Sequence, residues 1–217
     1  MIRAIVFDFD GVLADSEPLH LRALQQVLVP LGITVNRDEY YERYLGYDDM
    51  GAFRAISADR GLGLDDHGIR NLIQAKSVIY ESLLEQGGVL YPGAGACVER
   101  LAAEYPLGIA SGAQRHEIEA ILRGGGLAPH FRFIVASGET PAGKPAPEPY
   151  LRAAALHGLP PSACVAIEDS RWGIESAHAA GLKCVGITHT YAATELPGAD
   201  VIIDALDEFT PALVRDL

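Results

Sequence analysis

Six short runs of β-favouring residues recur along the chain, and they are continuously apolar instead of alternating with polar residues. They are Ala4–Phe7, Leu107–Ala110, Phe133–Val135, Cys164–Ile167, Cys184–Ile187 and Val201–Ile203. Continuous apolar runs are typical of strands that are covered on both faces, as in a parallel sheet. Helical patterns lie between them, at Gly95–Glu104, Arg115–Gly124, Pro147–His157 and Gly173–Ala180. This alternation predicts an α/β fold with a doubly wound parallel sheet.

One interval, from about Asp15 to Tyr91, interrupts the alternation. It has no convincing strand pattern, and its apolar residues recur at helical spacing. Four helices are predicted there, at Pro18–Leu31, Arg37–Leu45, Asp48–Arg60 and Asp66–Glu85. We therefore predict a helical cap domain of residues 15–91, inserted into a core domain formed by residues 1–14 and 92–217. The expected linkers lie near Ala14–Glu17 and Gly87–Pro92.

Polar residues follow the predicted strands at four points of the core domain. These points carry Asp8 with Asp10, Ser111 with Gly112, Lys144, and Glu168 with Asp169. Because the carboxyl ends of parallel strands meet at one edge of a sheet, we expect these side chains to converge there. Taken singly, each point has a plain structural explanation, such as a solvated turn, a serine N-cap, an exposed lysine or an acidic helix N-terminus.

The combination of these residues favours a phosphate site with a metal ion. The carboxylates of Asp8 and Asp169 are the oxygen ligands that Mg²⁺ prefers. Backbone N–H groups after Ser111, together with the Lys144 ammonium, are suited to an anion. A buried pair of aspartates at the end of an apolar strand is costly unless something neutralises it, and a metal ion does so.

Composition and charge exclude several classes of function. The chain has 217 residues, a net charge of −12 and no basic run, so we expect no nucleic-acid partner. No apolar run approaches the roughly 20 residues that span a bilayer, so we expect no membrane association. The first apolar run is short and ends in aspartates, so we expect no secretion signal and a cytoplasmic protein. The three cysteines, Cys97, Cys164 and Cys184, are interpreted as buried, reduced thiols.

At these residues the chain resembles the haloacid dehalogenase superfamily, specifically its helical-capped phosphatases and β-phosphoglucomutase-like, CbbY-like members. The segments DFDGVLADSE, IASGA, GKPAPEPYL and IEDSRWGIESAHAAG match the four motifs of that family in order. The resemblance covers essentially the whole chain. It implies a Rossmann-like doubly wound core with an inserted helical cap.

The resemblance also implies a mechanism. Asp8 would be the nucleophile that forms an aspartyl-phosphate, and Asp10 would protonate the leaving oxygen and then activate water. Dehalogenases of the family lack the second aspartate, so Asp10 argues against dehalogenation. The implied Mg²⁺ ligands are the Asp8 carboxylate, the Asp10 backbone carbonyl and Asp169, with Glu168 in or near the coordination shell. The implied phosphate-binding residues are Ser111, Gly112 and Lys144.

The cap residues concern the substrate. Relatives of the β-phosphoglucomutase type hold a distal phosphate with a cap arginine, whereas this chain has Gly46-Tyr47-Asp48-Asp49 there. An acid at that place is expected to repel a second phosphate. The resemblance places three further cap positions, Glu17, His20 and Lys76, against the substrate. A plain helix-surface histidine is the alternative for His20.

The sequence thus predicts a monomeric, Mg²⁺-dependent phosphatase of small phosphorylated metabolites, above all sugar phosphates. The alternative within enzymes is a phosphosugar mutase of the β-phosphoglucomutase type. A different class is a phospho-accepting signalling module, because receiver domains also place aspartates and a lysine at strand ends. The helical insertion disfavours that alternative, since a receiver needs no lid.

Overall fold

The computed structural model describes residues 1–45, 47, 49–84 and 89–217. The chain forms two compact units, one of Met1–Asp15 with Gly88–Leu217 and one of Ser16–Gly87. We call them the core unit and the helical unit. Three parts of the predictions lie outside the described residues: the motif residues Gly46 and Asp48, the end of the fourth predicted helix at Glu85, and the start of the second linker.

The core unit contains a six-stranded parallel sheet with the strand order β3-β2-β1-β4-β5-β6. The strands are β1 Ala4–Phe7, β2 Leu107–Ala110, β3 Phe131–Val135, β4 Cys164–Glu168, β5 Lys183–Ile187 and β6 Val201–Ile203. Every residue of β1, β2 and β4 is buried, which explains their continuously apolar sequences. The predicted α/β parallel-sheet class is confirmed.

The described part of the helical unit has four α-helices around its own apolar cluster. They are α1 Glu17–Leu28, α2 Arg37–Arg43, α3 Asp49–Arg60 and α4 Asp66–Leu84. Leu24, Phe53 and Ile69 lie in the cluster and are almost fully buried. The first predicted helix extended to Leu31, but α1 ends at Leu28 and a 3₁₀ turn follows. Pro30 explains the change, because its nitrogen cannot donate the next α-helical hydrogen bond.

The remaining helices belong to the core unit. They are α5 Ala94–Ala102, α6 Arg115–Gly124, α7 Glu148–His157, α8 Arg171–Ala180 and α9 Pro211–Asp216. Helices α7 and α8 pack on the sheet through a cluster that includes Val6, Tyr150, Ala166 and Ile174. The short helix α9 was not predicted. It starts after Thr210, whose hydroxyl accepts a hydrogen bond from the Leu213 N–H.

Two further expectations can be compared with the fold. Cys97, Cys164 and Cys184 are all buried and free, as the apolar context of the cysteines predicted. Among the described residues, no helix has both the length and the apolar character that crossing a membrane requires.

Candidate active site

The central strands β1 and β4 bring the candidate acidic residues together. They pair in parallel with Phe7 opposite Ile167, and the Asp8 N–H donates to the Ile167 carbonyl at 3.0 Å. Asp8 therefore follows the last residue of β1 and lies beside the end of β4, which is formed by Glu168 and followed by Asp169. Parallel pairing of two apolar strands thus places three carboxylates at one edge of the sheet.

A lysine lies among these carboxylates. Lys144 Nζ is 2.6 Å from Asp8 Oδ1 and 2.5 Å from Glu168 Oε1. Asp8, Glu168 and Asp169 each offer a carboxylate oxygen, and these three oxygens all lie within 4.8 Å of one another. All three carboxylate residues are buried. One ammonium therefore contacts two of three clustered carboxylates, and the cluster can accept a further cation.

The electrostatics of the cluster reflect this excess of acid. Burial and the neighbouring carboxylates raise the pKa of Glu168 to about 8, although Lys144 opposes the shift. Burial and the charge of Asp8 raise the pKa of Asp169 to about 6. Burial lowers the pKa of Lys144, but the charges of Asp8 and Glu168 outweigh it and raise that pKa above its usual range. A divalent cation beside these carboxylates would favour their ionised forms.

Three residues that the sequence analysis did not single out shape the position of Glu168. The Tyr150 hydroxyl donates to Glu168 Oε1 at 2.6 Å. The Ser170 hydroxyl lies 3.4 Å from Glu168 Oε2 and also caps α8 by accepting from the Gly173 N–H. A Cβ atom at Gly173 would overlap the Glu168 carboxyl group, so that position accommodates only glycine without rearrangement.

Asp169 has a support of its own. The Thr190 side chain donates a hydrogen bond to it, which lowers its pKa against the effect of burial. Gly11 packs against the Asp169 carboxyl group with φ of +76°, and a Cβ atom there would collide with that group. Its conformation and the contact both require glycine. Thr190 and Tyr150 could not be found from the sequence, because their roles depend on contacts between segments that are well separated along the chain. Gly173 lies in the matched segment IEDSRWGIESAHAAG, but its contact with the Glu168 carboxyl group shows only in the structure.

The turn after β1 carries Asp10. The Gly11 N–H donates to the Ala14 carbonyl at 2.8 Å, and the Phe9 carbonyl accepts from the Leu13 and Ala14 N–H groups. His189 Nδ1 lies 3.0 Å from the Gly11 carbonyl. Hydrogen bonds from both sides therefore hold the half-buried Asp10 in a closed turn at the edge of the sheet.

The predicted phosphate-binding residues of β2 lie at the same edge. Ile109 of β2 is opposite Phe7 of β1, and Ser111 follows two residues later. The Ser111 hydroxyl accepts a hydrogen bond from the Ala113 N–H at 3.2 Å. The N-cap of α6 is Gln114, so Ser111 is not the helix cap that its position allowed. Gly112 is exposed, with open space where a side chain would lie.

The three predicted cap residues lie in the helical unit, in two separate groups of contacts. Lys76 Nζ bonds the Asp49 carboxylate and lies 3.2 Å from His20 Nδ1. Glu17 accepts a hydrogen bond from the Tyr40 hydroxyl. From the sequence, Asp49 is expected only to repel a second phosphate, and its ion pair with Lys76 was not predicted. The role of Glu17, His20 and Lys76 in substrate contact stays a prediction.

His20 is neutral in this environment. Its ring stacks on Tyr80 with centroids 4.1 Å apart. Burial and the nearby Lys76 ammonium lower the pKa of His20 to about 4, although Asp49 opposes the shift. Because Lys76 donates, His20 Nδ1 accepts, which also requires the neutral ring. The ring is thus part of a packed cluster of the helical unit and not a simple surface histidine.

Comparisons with known proteins show which family the chain resembles. Residues 2–181 match the family model for haloacid dehalogenase-like hydrolases. Protein CbbY from Rhodobacter capsulatus is 36% identical over 85% of this chain and 84% of its own length. Hexitol phosphatase B from Escherichia coli is 32% identical over 96% of this chain and 95% of its own length.

A solved structure has the same fold over nearly the whole chain. It is a CbbY variant from Rhodobacter sphaeroides in complex with xylulose-(1,5)-bisphosphate, with a TM-score of 0.79 and 29% identity. The match covers 96% of each chain.

Proposed function

Because the chain belongs to the haloacid dehalogenase-like hydrolase family, we propose that it is a Mg²⁺-dependent phosphatase of small phosphorylated metabolites, above all sugar phosphates. The observation that carries the proposal is the contact of Asp8 with Lys144, beside Glu168 and Asp169. A nucleophile, a phosphate-binding cation and a set of metal-binding oxygens thus meet at one sheet edge. The phosphatase and CbbY relatives support the substrate class.

The first half of the reaction depends on Asp8 and Asp10. An Asp8 carboxylate oxygen attacks phosphorus, the bond from phosphorus to the ester oxygen breaks, and an aspartyl-phosphate forms. Asp10 gives its proton to the departing oxygen. Lys144 fixes the Asp8 carboxylate through Oδ1 and brings positive charge to the phosphoryl oxygens. Ser111 and the N–H of Gly112 are proposed to bind those oxygens as well.

The second half reverses the role of Asp10. The Asp10 carboxylate takes a proton from water as the water oxygen attacks the aspartyl-phosphate. The bond from phosphorus to Asp8 then breaks and releases inorganic phosphate with the free Asp8 carboxylate. The three buried carboxylates of Asp8, Glu168 and Asp169 are an oxygen-rich set that fits Mg²⁺. When bound by Asp8, Asp169, the Asp10 carbonyl and Glu168, Mg²⁺ would neutralise charge on the phosphoryl group.

The test is a panel of phosphorylated metabolites, scored for release of inorganic phosphate. The panel should include hexose, hexitol and pentose monophosphates and a pentose bisphosphate. We expect release in the presence of Mg²⁺, none after EDTA treatment, and recovery when Mg²⁺ is returned. Absence of release from every member with Mg²⁺ present would contradict the proposal.

The alternative of a phosphosugar mutase makes a different prediction. A mutase must hold the far phosphate of a bisphosphate intermediate, and charge-assisted contacts of that kind contribute roughly 1.5–3 kcal/mol each. In the helical unit the Lys76 ammonium is already paired with Asp49, which favours transfer of the phosphoryl group to water. Analysis of the products formed from a hexose 1-phosphate, with a trace of hexose bisphosphate added, distinguishes the phosphatase from the mutase. Free sugar with phosphate supports the phosphatase, whereas hexose 6-phosphate formed faster than phosphate overturns it.

A further inference from the structure

The Glu168 carboxylate is fully buried, and its two oxygens have different partners. Oε1 accepts from Lys144 Nζ at 2.5 Å and from the Tyr150 hydroxyl at 2.6 Å. Oε2 has a longer contact, 3.4 Å, with the Ser170 hydroxyl. Two donors at short distances therefore share Oε1, and Oε2 is the oxygen that is more available to a cation.

Tyr150 contacts both members of this ion pair. Its hydroxyl bonds Glu168, and Lys144 Nζ lies 5.0 Å from the centre of its ring. The side chain is fully buried within the apolar cluster between α7 and the sheet. A phenylalanine would fill the same volume in that cluster, so packing does not account for the hydroxyl. A buried hydroxyl that donates a hydrogen bond to a buried carboxylate holds that carboxylate in one orientation.

We propose that Tyr150 is a positioning residue for the phosphatase reaction, and this inference rests on the function proposed above. Its hydroxyl holds Glu168 Oε1 toward Lys144, so that the lysine stays directed at Asp8 and Glu168 Oε2 is left for the cation. Gly173 completes the arrangement, because the Glu168 carboxyl group packs where a side chain at 173 would lie. Tyr150 itself acts only through Glu168 and Lys144.

The kinetic test uses Tyr150→Phe, with Tyr44→Phe as its matched control. Tyr44 is also almost fully buried and donates to a carboxylate, Asp59, at 2.8 Å, but it lies in the helical unit. With p-nitrophenyl phosphate as the substrate, we expect Tyr150→Phe to lower kcat or to raise the Mg²⁺ concentration for half-maximal activity. Loss of a partner that orients a metal-binding residue typically costs about 10- to 100-fold. Tyr44→Phe should leave both quantities within about twofold of the parent.

Two measurements do not need turnover. Calorimetric titration with Mg²⁺ alone should give a larger dissociation constant for Tyr150→Phe than for the parent and for Tyr44→Phe. In ¹⁵N-detected NMR of lysine side chains, the signal lost in Lys144→Met identifies the Lys144 ammonium. That signal should shift and exchange faster with water in Tyr150→Phe, because the carboxylate that holds the ammonium has lost its second donor.

The outcomes separate the two proposals. If the parent releases phosphate, and Tyr150→Phe matches it in kcat, Mg²⁺ response and Lys144 signal while only its Tm falls, Tyr150 has a structural role and the inference is overturned. If the parent releases no phosphate and binds no Mg²⁺, the proposed function fails. The Lys144 signal still decides in that case: a changed signal in Tyr150→Phe supports the positioning of Glu168, and an unchanged one overturns it.

Discussion

Two lysines, the partly buried Lys144 of the core unit and the buried Lys76 of the helical unit, differ in how their charge is balanced. Lys144 of the core unit faces Asp8 and Glu168, with Asp169 close by. Within the described residues, Lys76 of the helical unit forms an ion pair only with Asp49. The Glu168 side chain is fully buried, whereas the Asp49 side chain is 41% exposed and water can screen it.

The difference distinguishes a reactive cluster from a balanced one. Buried charge is costly, and an excess of one sign in the interior is tolerated when a ligand supplies the other. The core cluster has that excess, and burial together with the neighbouring carboxylates raises the pKa of Glu168 and of Asp169. In the helical unit the charge of Lys76 is paired with that of Asp49. His20, beside this lysine, is neutral because burial lowers its pKa. The comparison therefore supports the proposal that the reaction takes place in the core unit, and four predictions test it.

The largest effect is expected at Asp8. Asp8→Asn retains the shape of the side chain but cannot attack phosphorus, so phosphate release should fall on the order of 1,000-fold or more. Circular dichroism should show that the variant remains folded. Asp207→Asn, which removes the same charge from an exposed position of the core unit outside the matched motifs, is the control and should retain activity. Turnover at the parental rate by purified Asp8→Asn would rule out the covalent mechanism.

The second prediction compares the two lysines directly. Without Mg²⁺, Lys144→Met should lower the free energy of unfolding by about 3 kcal/mol, because it leaves Asp8 and Glu168 buried and unpaired. Lys76→Met should cost about 1 kcal/mol or less, since Asp49 can be hydrated. Urea unfolding measures both. Added Mg²⁺ should restore part of the loss in Lys144→Met and none in Lys76→Met. Equal losses that do not respond to Mg²⁺ would contradict the comparison.

The third prediction concerns pH and His20. The folded pKa, about 4, lies below the ordinary value of 6.5, so the folded state binds fewer protons and stability falls as the pH drops through 6.5 toward 4. Lys76, Asp49 and Tyr80 face the ring. Between pH 7 and pH 5 the expected loss is about 2 kcal/mol. His20→Gln should remove that part of the pH dependence, measured by urea unfolding at each pH.

The control for this prediction is His67→Gln, because His67 lies on the exposed surface of α4. It should keep the parental pH profile. If His20→Gln and the parent lose the same stability between pH 7 and pH 5, the ring of His20 is not the group responsible.

The smallest effect is expected for the metal response of Asp169. Asp169→Asn keeps one ligand oxygen but removes the charge, so the Mg²⁺ concentration for half-maximal activity should rise about tenfold, equal to about 1.4 kcal/mol. Calorimetric titration with Mg²⁺ gives a second measure of the same change. Asp207→Asn, at an exposed position of the core unit, should respond like the parent. An Asp169→Asn variant with the parental Mg²⁺ response would show that Asp169 is not a ligand.

Most of the sheet was predictable because its strands are buried on both faces. Ala4–Phe7 and Leu107–Ala110 have the predicted bounds. β3 begins two residues before its predicted start at Phe133, because it also includes the partly exposed Phe131 and the exposed Arg132, which interrupt the apolar pattern. Local patterns also located α1 to α4, but the end of α1 depended on Pro30.

The candidate site was only partly predictable. Asp8, Lys144, Glu168 and Asp169 could be expected at one edge, since polar residues at the ends of parallel strands meet there. The partners Tyr150 and Thr190 could not be predicted. A tyrosine in an apolar helix pattern is interpreted as a core residue, and nothing near Thr190 in the sequence indicates its contact with Asp169. The ion pair of Asp49 with Lys76 spans 27 residues and joins two helices, so neither local pattern contained it.

The sequence by itself determined the order of strands and helices and the positions of the acidic residues along the chain. Alternation of apolar runs and the chemistry of residues at their ends are local properties, and a single chain displays them directly. Only the tertiary structure decided which charges are paired. It gave Lys144 two carboxylates, gave Lys76 one, and put the Tyr150 hydroxyl against Glu168. Pairing depends on distances of a few ångströms and on exclusion of water, and packing between distant segments sets both.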